Sequence, residues 1–354
     1  MTDETSNDPI AAPVANGGCF YQEYRPSRRE RFWRKMGFRY QGAGGETLMT
    51  WQPDICVYHA HCDDGFGAAW AIWKRWPECR FVPGFYGKLL PIIDMADKNV
   101  LFVDFSTKRP EIDALAQVTE SIVIIDHHKT AEAELEPFKV TRGTLWFDPS
   151  SIDEAFYKMA ELDRPPILAW FDMNQSGAVM AWKFAQPGRN VPEFLRYIED
   201  RDLWHFTRGD ATRQFSAALK CYDQNFDVWD KLADPGETAK LVQEGAGILR
   251  AHRANLKNIL NDSYMTEIAG HHVPTVNIHG LFASDIGNLL LTKYPDAPFS
   301  ATWSRDKNGA VKYSLRSEDL RMDVSAIAAS FGGGGHRNAA GFSVPDEFDM
   351  VPIA

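Results

Sequence analysis

Ten consecutive residues, Ser121-Ile-Val-Ile-Ile-Asp126-His127-His128-Lys129-Thr130, restrict the fold more than any other stretch of this chain. Four apolar, mostly β-branched residues in succession can hide both faces only in a strand covered on both sides, as in a parallel sheet. The strand then delivers an acid and two imidazoles at its carboxyl end, the edge at which open α/β sheets bind ligands. Taken alone, Asp-His-His reads equally well as a turn in which Asp126 caps a helix and the histidines are solvated.

The surrounding sequence removes that ambiguity. Ile55–His59 reads as a strand, Phe66–Trp73 as a buried helix and Val100–Asp104 as a second apolar strand ending in an acid. Pro110 suits the first turn of a helix, and Thr144–Phe147 reads as one more strand. Alternating strands and helices predict a parallel sheet with helical crossovers. Residues 150–235 read as helical, with Ser176–Trp182 and Pro192–Asp200 clearest, and Glu237–Leu260 as a long connecting helix. Ser176-Gly177 falls inside such a segment and reads as tight helix packing rather than as a border of the substrate. Beyond it, His272–Ile278, Phe299–Trp303 and Val311–Arg316 read as strands, the last two joined by a turn at Asn308-Gly309. Asp323–Ser330 reads as a short helix stopped by glycines. The expected architecture is α/β: an extension at 1–54, a parallel-sheet domain at 55–235, a connecting helix at 236–262 and a smaller α/β domain at 263–354. Within the extension, the first eighteen residues read as disordered, and the basic Arg25–Lys35 segment as a short helix packing Phe32 and Trp33 rather than a contact arm.

Composition bounds the function. A net charge of −10 over 354 residues lacks the basic footprint of a protein that tracks long nucleic acid. Five cysteines (Cys19, Cys56, Cys62, Cys79, Cys221) form no Cys-x-x-Cys pair, which argues against a disulfide framework or a structural zinc site and for a reducing cytoplasm. With no apolar leader near the N-terminus and no run of bilayer length, a soluble protein without a membrane partner is expected.

Three strand-end acids, Asp64, Asp104 and Asp126, belong along one edge of the sheet. Clustered carboxylates repel unless a cation neutralises them. Carboxylate with imidazole suits Mn²⁺, or Mg²⁺, better than a structural zinc, and two such ions are a usual apparatus for phosphoester hydrolysis. From the other end of the chain, Gly332-Gly333-Gly334-Gly335-His336-Arg337 reads as an oxyanion cradle of open backbone N–H groups followed by an imidazole and a guanidinium.

His59-x-x-Cys62-x-Asp64-Gly65, Val103-Asp104, Asp126-His127-His128 and Gly332-Gly-Gly-Gly-His336-x-x-Ala-Ala-Gly341 occur in this order. Together they resemble the DHH phosphoesterase superfamily with its C-terminal DHH-associated domain, over about residues 55 to 345, in the oligoribonuclease-like branch that reads His-x-x-Cys-x-Asp-Gly. The resemblance implies two divalent ions held by His59, Asp64, Asp104 and His127, with Asp126 orienting His127 and His128 facing the substrate phosphate. It implies a further acid at Asp200, with Asp202 the competing candidate. Cys62 stands where the commoner motif has an acid, and its readings as a thiolate ligand and as a small buried hydrophobe both stay open. In the second domain the resemblance implies substrate binding by Arg316, the glycines Gly332–Gly335, His336 and Arg337. The implied activity is hydrolysis of short oligonucleotides or small nucleotide phosphoesters. Cyclic dinucleotides or nucleoside bisphosphates are alternative substrates, a catalytically silent nucleotide-binding regulator is a reading of another class, and a homodimer stays open.

Overall fold

The computed structural model describes residues 51–140, 149–162, 164–307 and 309–345, all within one compact unit, Met49–Ala354. The expectations for the first eighteen residues, for Arg25–Lys35 and for a strand at Thr144–Phe147 lie outside the described residues. The expected boundary at residue 54 is too late. Trp51 is a core residue, 2% exposed, with its indole Nε1 donating to Ser121 Oγ at 2.9 Å.

The first sheet is parallel and five-stranded: β1 (Ile55–His59), β2 (Arg80–Gly84), β3 (Asn99–Val103), β4 (Ser121–Asp126) and β5 (Ile167–Phe171), in spatial order β2-β1-β3-β4-β5. All six residues of β4 are buried, as its uninterrupted apolar run requires. Helix α1 (Asp63–Trp73) follows β1, α2 (Arg109–Val118) follows β3 with Pro110 in its first turn, and the short α3 (Lys129–Glu134) follows β4. Ile112 and Leu115 of α2 bury against Val57, Val100, Phe102, Ile122 and Ile124 on one face of the sheet. The chain order reverses between β1 and β3, the switch point at which open sheets of this kind leave a crevice.

Two strands of this sheet were not legible in the sequence. β2 is an edge strand that carries Pro83, tolerated there because an edge N–H need not join the ladder. β5 lies in the region read as helical; five apolar residues fit a buried strand and a buried helix turn equally well.

After α4 (Pro149–Glu161) and β5 come α5 (Gly177–Ala185), α6 (Glu193–Asp202), α7 (Asp210–Leu219), α8 (Phe226–Leu232) and α9 (Pro235–Ile259). The 25 residues of α9 reach about 38 Å at 1.5 Å each. Asp234 caps it by accepting from Gly236 N, with Pro235 at its first position. No described helix is long and apolar enough to cross a membrane.

The second sheet lies wholly beyond α9. Strands β6 (Tyr264–Ile268), β7 (His271–Asn277), β8 (Ser300–Arg305), β9 (Val311–Arg316), β10 (Gly334–His336) and β11 (Ala339–Val344) take the order β10-β11-β9-β8-β7-β6, antiparallel except at β7–β8. Helices α10 (Ala283–Lys293) and α11 (Val324–Ser330) cover it. The β8–β9 hairpin forms where expected, with Gly309 at φ 90°.

Helix α9 packs on α7 through one glycine. A Cβ on Gly245 would stand 1.8 Å from Gln214 O, whereas one on Gly247, on the same helix, would meet only Arg250 Nη2 at 3.9 Å. Intrinsic helix propensity favours alanine over glycine at both by about 1 kcal/mol. Gly247→Ala is therefore expected to stabilise the protein by about 0.5–1 kcal/mol, and Gly245→Ala to destabilise it by about 1–3 kcal/mol through overpacking. Urea denaturation midpoints of the two variants check the opposite signs.

Candidate active site

The strand ends at the switch point bring the predicted residues together. His59 closes β1 and Asp64 sits in the first turn of α1. Asp104 directly follows β3 with φ 51°, a left-handed backbone rare for an aspartate. Its N–H still donates to Ile125 O of the neighbouring strand at 3.0 Å, so the carboxylate is swung into the crevice while the sheet stays paired. His127 follows β4 and is 1% exposed.

Nε2 of His127 is the focus. Asp104 Oδ1 lies 3.0 Å from it, Asp64 Oδ2 3.5 Å and Asp202 Oδ2 3.6 Å. Burial opposes a charge on the ring, but the bond to Asp104 and the charges of Asp202, Asp104 and Asp64 raise His127 to about 10. Burial also acts on Asp104, yet interactions with His127 and His59 hold its carboxyl well below the usual range. Asp64 goes the other way: burial and the charges of Asp104 and Asp202 push it well up. The cluster therefore demands positive charge. Asp104 Oδ2, 3.6 Å from His59 Nδ1, is buried with no hydrogen-bond partner among the described residues.

Donor atoms of Asp64, Asp104 and His127 fall within 4.8 Å of one another, as do those of His59, Cys62 and Asp104. Asp104 belongs to both groups. Oxygen and imidazole donors with one thiol suit a borderline divalent cation. Cys62 is half-buried at the N-cap of α1, and burial together with Asp104, Asp202 and Asp64 pushes its thiol well up. A cation is the element that would offset that charge and allow a thiolate. The residues thus fit divalent metal.

Several expectations need correction. Asp200, expected as a metal ligand, faces away: its carboxylate accepts from Thr207 N at 2.8 Å, from Thr207 Oγ1 at 2.7 Å, from Arg208 N and from Thr212 Oγ1. Asp202, two residues on, takes the place in the cluster. Asp126 does not orient the His127 ring. Its Oδ1 accepts from His127 N at 2.8 Å and meets His128 Nδ1 at 2.6 Å, and Ser106 Oγ donates to its Oδ2. It orients His128 instead.

The glycine run is no open cradle. Gly332 N donates to Ala329 O, Gly333 N to Ala328 O and Gly335 N to Thr130 Oγ1. The glycines serve close approach: a Cβ on Gly334 would stand 2.9 Å from Thr130 Oγ1 at the start of α3. Arg337 is likewise occupied elsewhere, donating to the carbonyls of Asp319 and Arg321. The ring of His336 stacks on that of His128 at 4.5 Å and lies 4.7 Å from that of His127. Burial and the neighbouring His128 and His127 hold it well below the usual imidazole range. Arg316 is lowered to about 10 by burial and the charge of Arg201, and donates to Ser284 Oγ at 2.6 Å.

Ser176-Gly177 is not mid-helix. Ser176 caps α5, and the amides of Gly177 and Ala178 bind Asp64 at 2.6 and 3.1 Å. A Cβ on Gly177 would stand 2.4 Å from that of Asp104. A Ser-Gly pair at a helix start is the signal that could have placed it. Arg201, bound to Asp285 at 3.0 Å, carried no signal in the sequence.

Residues 275–351 match the DHHA1 domain, which supports placing the chain in the DHH superfamily. The chain shares a family with Uncharacterized protein R106 of Acanthamoeba polyphaga mimivirus, 30% identical over 316 residues, 82% of this chain and 68% of that one. Oligoribonuclease NrnB of Bacillus subtilis is 27% identical over 191 residues, 48% of this chain and 44% of that protein. Among solved structures, a pGpG-specific phosphodiesterase, PggH of Vibrio cholerae, superposes with a TM-score of 0.39 at 11% identity, covering 83% of this chain and 94% of that one. An exopolyphosphatase-related protein of Bacteroides fragilis gives 0.38 at 13% identity, covering 81% and 85%.

The two aspartates of α6 separate experimentally. Asp200→Asn is expected to cost about 1–3 kcal/mol of stability through the lost charge-assisted bonds, with Mn²⁺ binding retained. Asp202→Asn is expected to leave the melting temperature within about 2 °C and to weaken Mn²⁺ binding tenfold or more. Thermal melts and calorimetric Mn²⁺ titrations of both variants check this.

Proposed function

We propose that this protein is a divalent-metal-dependent phosphoesterase acting on short oligonucleotides or small nucleotide phosphoesters. The observation that carries the reading is the convergence of Asp64, Asp104 and Asp202 on Nε2 of His127, roofed by His336. Similarity to an oligoribonuclease over about half of the chain supports the substrate class.

His59, Cys62 and Asp104 would hold one ion, and Asp64, Asp104, His127 and Asp202 the other, with Asp104 shared. Mn²⁺ suits the carboxylate and imidazole donors, and Mg²⁺ suits the carboxylates. Such ions, when bound, supply charge for phosphoryl oxygens and acidify a water near neutral pH. The protein's own groups do the rest. Asp126 fixes the Nδ1 side of His128. Although burial disfavours charge there, Asp126 raises the ring, which favours a proton on the nitrogen away from Asp126, where it would meet a phosphoryl oxygen. His336, held neutral, takes a hydrogen bond from substrate without adding charge. The Thr130–Gly335 contact ties strand β10, which carries His336, to the start of α3.

Chelation with EDTA is expected to abolish turnover of a dinucleotide, and Mn²⁺ to restore it. Asp104→Ala and His127→Ala should each stay inactive after Mn²⁺ replacement while keeping the native circular dichroism. His336→Ala should lower kcat/KM by about 10- to 100-fold with metal content unchanged. A panel of dinucleotide, cyclic dinucleotide, nucleoside bisphosphate and polyphosphate in Mn²⁺ reads the substrate. Near-normal activity in Asp104→Ala, or loss of bound metal in His336→Ala, overturns the assignment.

A further inference from the structure

The chain just after Asp202 is bent at a cost. Trp204 and Phe206 have φ of 60° and 49°, a left-handed conformation that bulky residues almost never adopt and that persists only where the surroundings over-determine it. They do so here. His205 N and Phe206 N both donate to Asp200 O, at 3.0 and 3.2 Å, while Thr207 N and Oγ1 close on Asp200 Oδ1. The network that removes Asp200 from the metal cluster is thus the one that clamps this turn.

What the turn presents is an indole. Trp204 keeps 36% of its surface exposed, although it is a large apolar side chain. It is nonetheless held on two sides. The Arg201 guanidinium lies 4.2 Å from its ring centre and is itself fixed by Asp285, which also binds His252 Nε2 at 2.8 Å. Phe206 meets it edge-on at 4.9 Å. The ring is a rigid aromatic plate, backed by a cation, two residues from a carboxylate of the cluster. A span of two residues covers at most about 7 Å of chain, the reach of one nucleoside from its phosphate.

We propose that Trp204 is the stacking surface for a nucleobase of the substrate, so that the site selects base-bearing phosphoesters over inorganic polyphosphate. Base–aromatic stacking accepts any of the bases and adds binding without hydrogen-bond readout, and a guanidinium behind the indole enriches the plate for such contacts. Trp204 is then specificity-determining and takes no part in bond cleavage. The inference rests on the phosphoesterase reading for its substrate, but its binding component can be measured without turnover.

The test uses the full chain, as wild type, Trp204→Ala and Trp204→Phe. The ligands are a diadenylate, the same diester with both bases removed, and tripolyphosphate. Binding is titrated calorimetrically in EDTA, and kcat and KM are measured in Mn²⁺. Trp204→Ala should weaken diadenylate binding and raise its KM by about tenfold or more with kcat little changed. Trp204→Phe should recover most of the loss, and the abasic diester and tripolyphosphate should be indifferent to both changes. Equal losses on abasic and base-bearing ligands, no loss on either, or a Trp204→Phe variant as poor as Trp204→Ala overturns the proposal. If wild type hydrolyses none of the three in Mn²⁺, the phosphoesterase reading fails, while base-dependent binding in EDTA still decides the role of Trp204.

Discussion

Three carboxylates, two of them buried, share one imidazole nitrogen, and much of the first domain can be understood as the means of keeping them there. Like charges a few ångströms apart in a dry crevice repel strongly. Each acid is accordingly restrained by backbone that has no freedom to yield. Asp64 is pinned by the first amides of α5, Asp104 by a left-handed turn still paired to β4, and Asp202 by the last turn of α6. Without that framework the acids would separate or protonate. With it they form a site that only positive charge can complete.

The surroundings follow from the same demand. Glycine at 177 is dictated by the Cβ of Asp104, and the Asp126 carboxylate serves three donors from the following dipeptide. The second sheet brings a neutral imidazole rather than another charge. His128 and His336 stack with a 22° angle between their planes, one raised by its acid and the other lowered by its neighbours. Two chemically identical side chains are thereby pushed in opposite directions, which is what acid–base or hydrogen-bond division of labour requires.

The strands that carry the acids were legible because burial on both faces leaves an unmistakable apolar run and because the acids stop it. The long helix was legible from a polar-amphipathic stretch with few breakers, and the β8–β9 hairpin from an Asn-Gly turn. What the sequence hid was orientation. Asp200 and Asp202 lie on one helix, and two helical steps rotate a side chain by about 200°, so a motif that fits both cannot say which faces the crevice. Asp126 precedes two imidazoles that alternate in direction, and composition is silent on which ring it meets. The glycines suggested open amides, but whether an amide is open depends on sequence-distant Thr130 and on the carbonyls of α11.

The division of the site along the chain has an evolutionary consequence. Every acid and imidazole of the cluster lies between His59 and Asp202, whereas His336 and Arg316 come from the segment of a separately recognised domain. The first block cannot be subdivided, since its members arrive from β1, β3, β4 and α6 and mean nothing apart. The second is one contiguous stretch, joined to the first block by seams that include Thr130 against Gly335, Lys129 with Asp323, Arg201 with Asp285, and the His336 ring against those of His127 and His128. Variation in what lies over the acids is therefore open to one contiguous stretch of gene, while the acids, drawn from several elements, depend on one another.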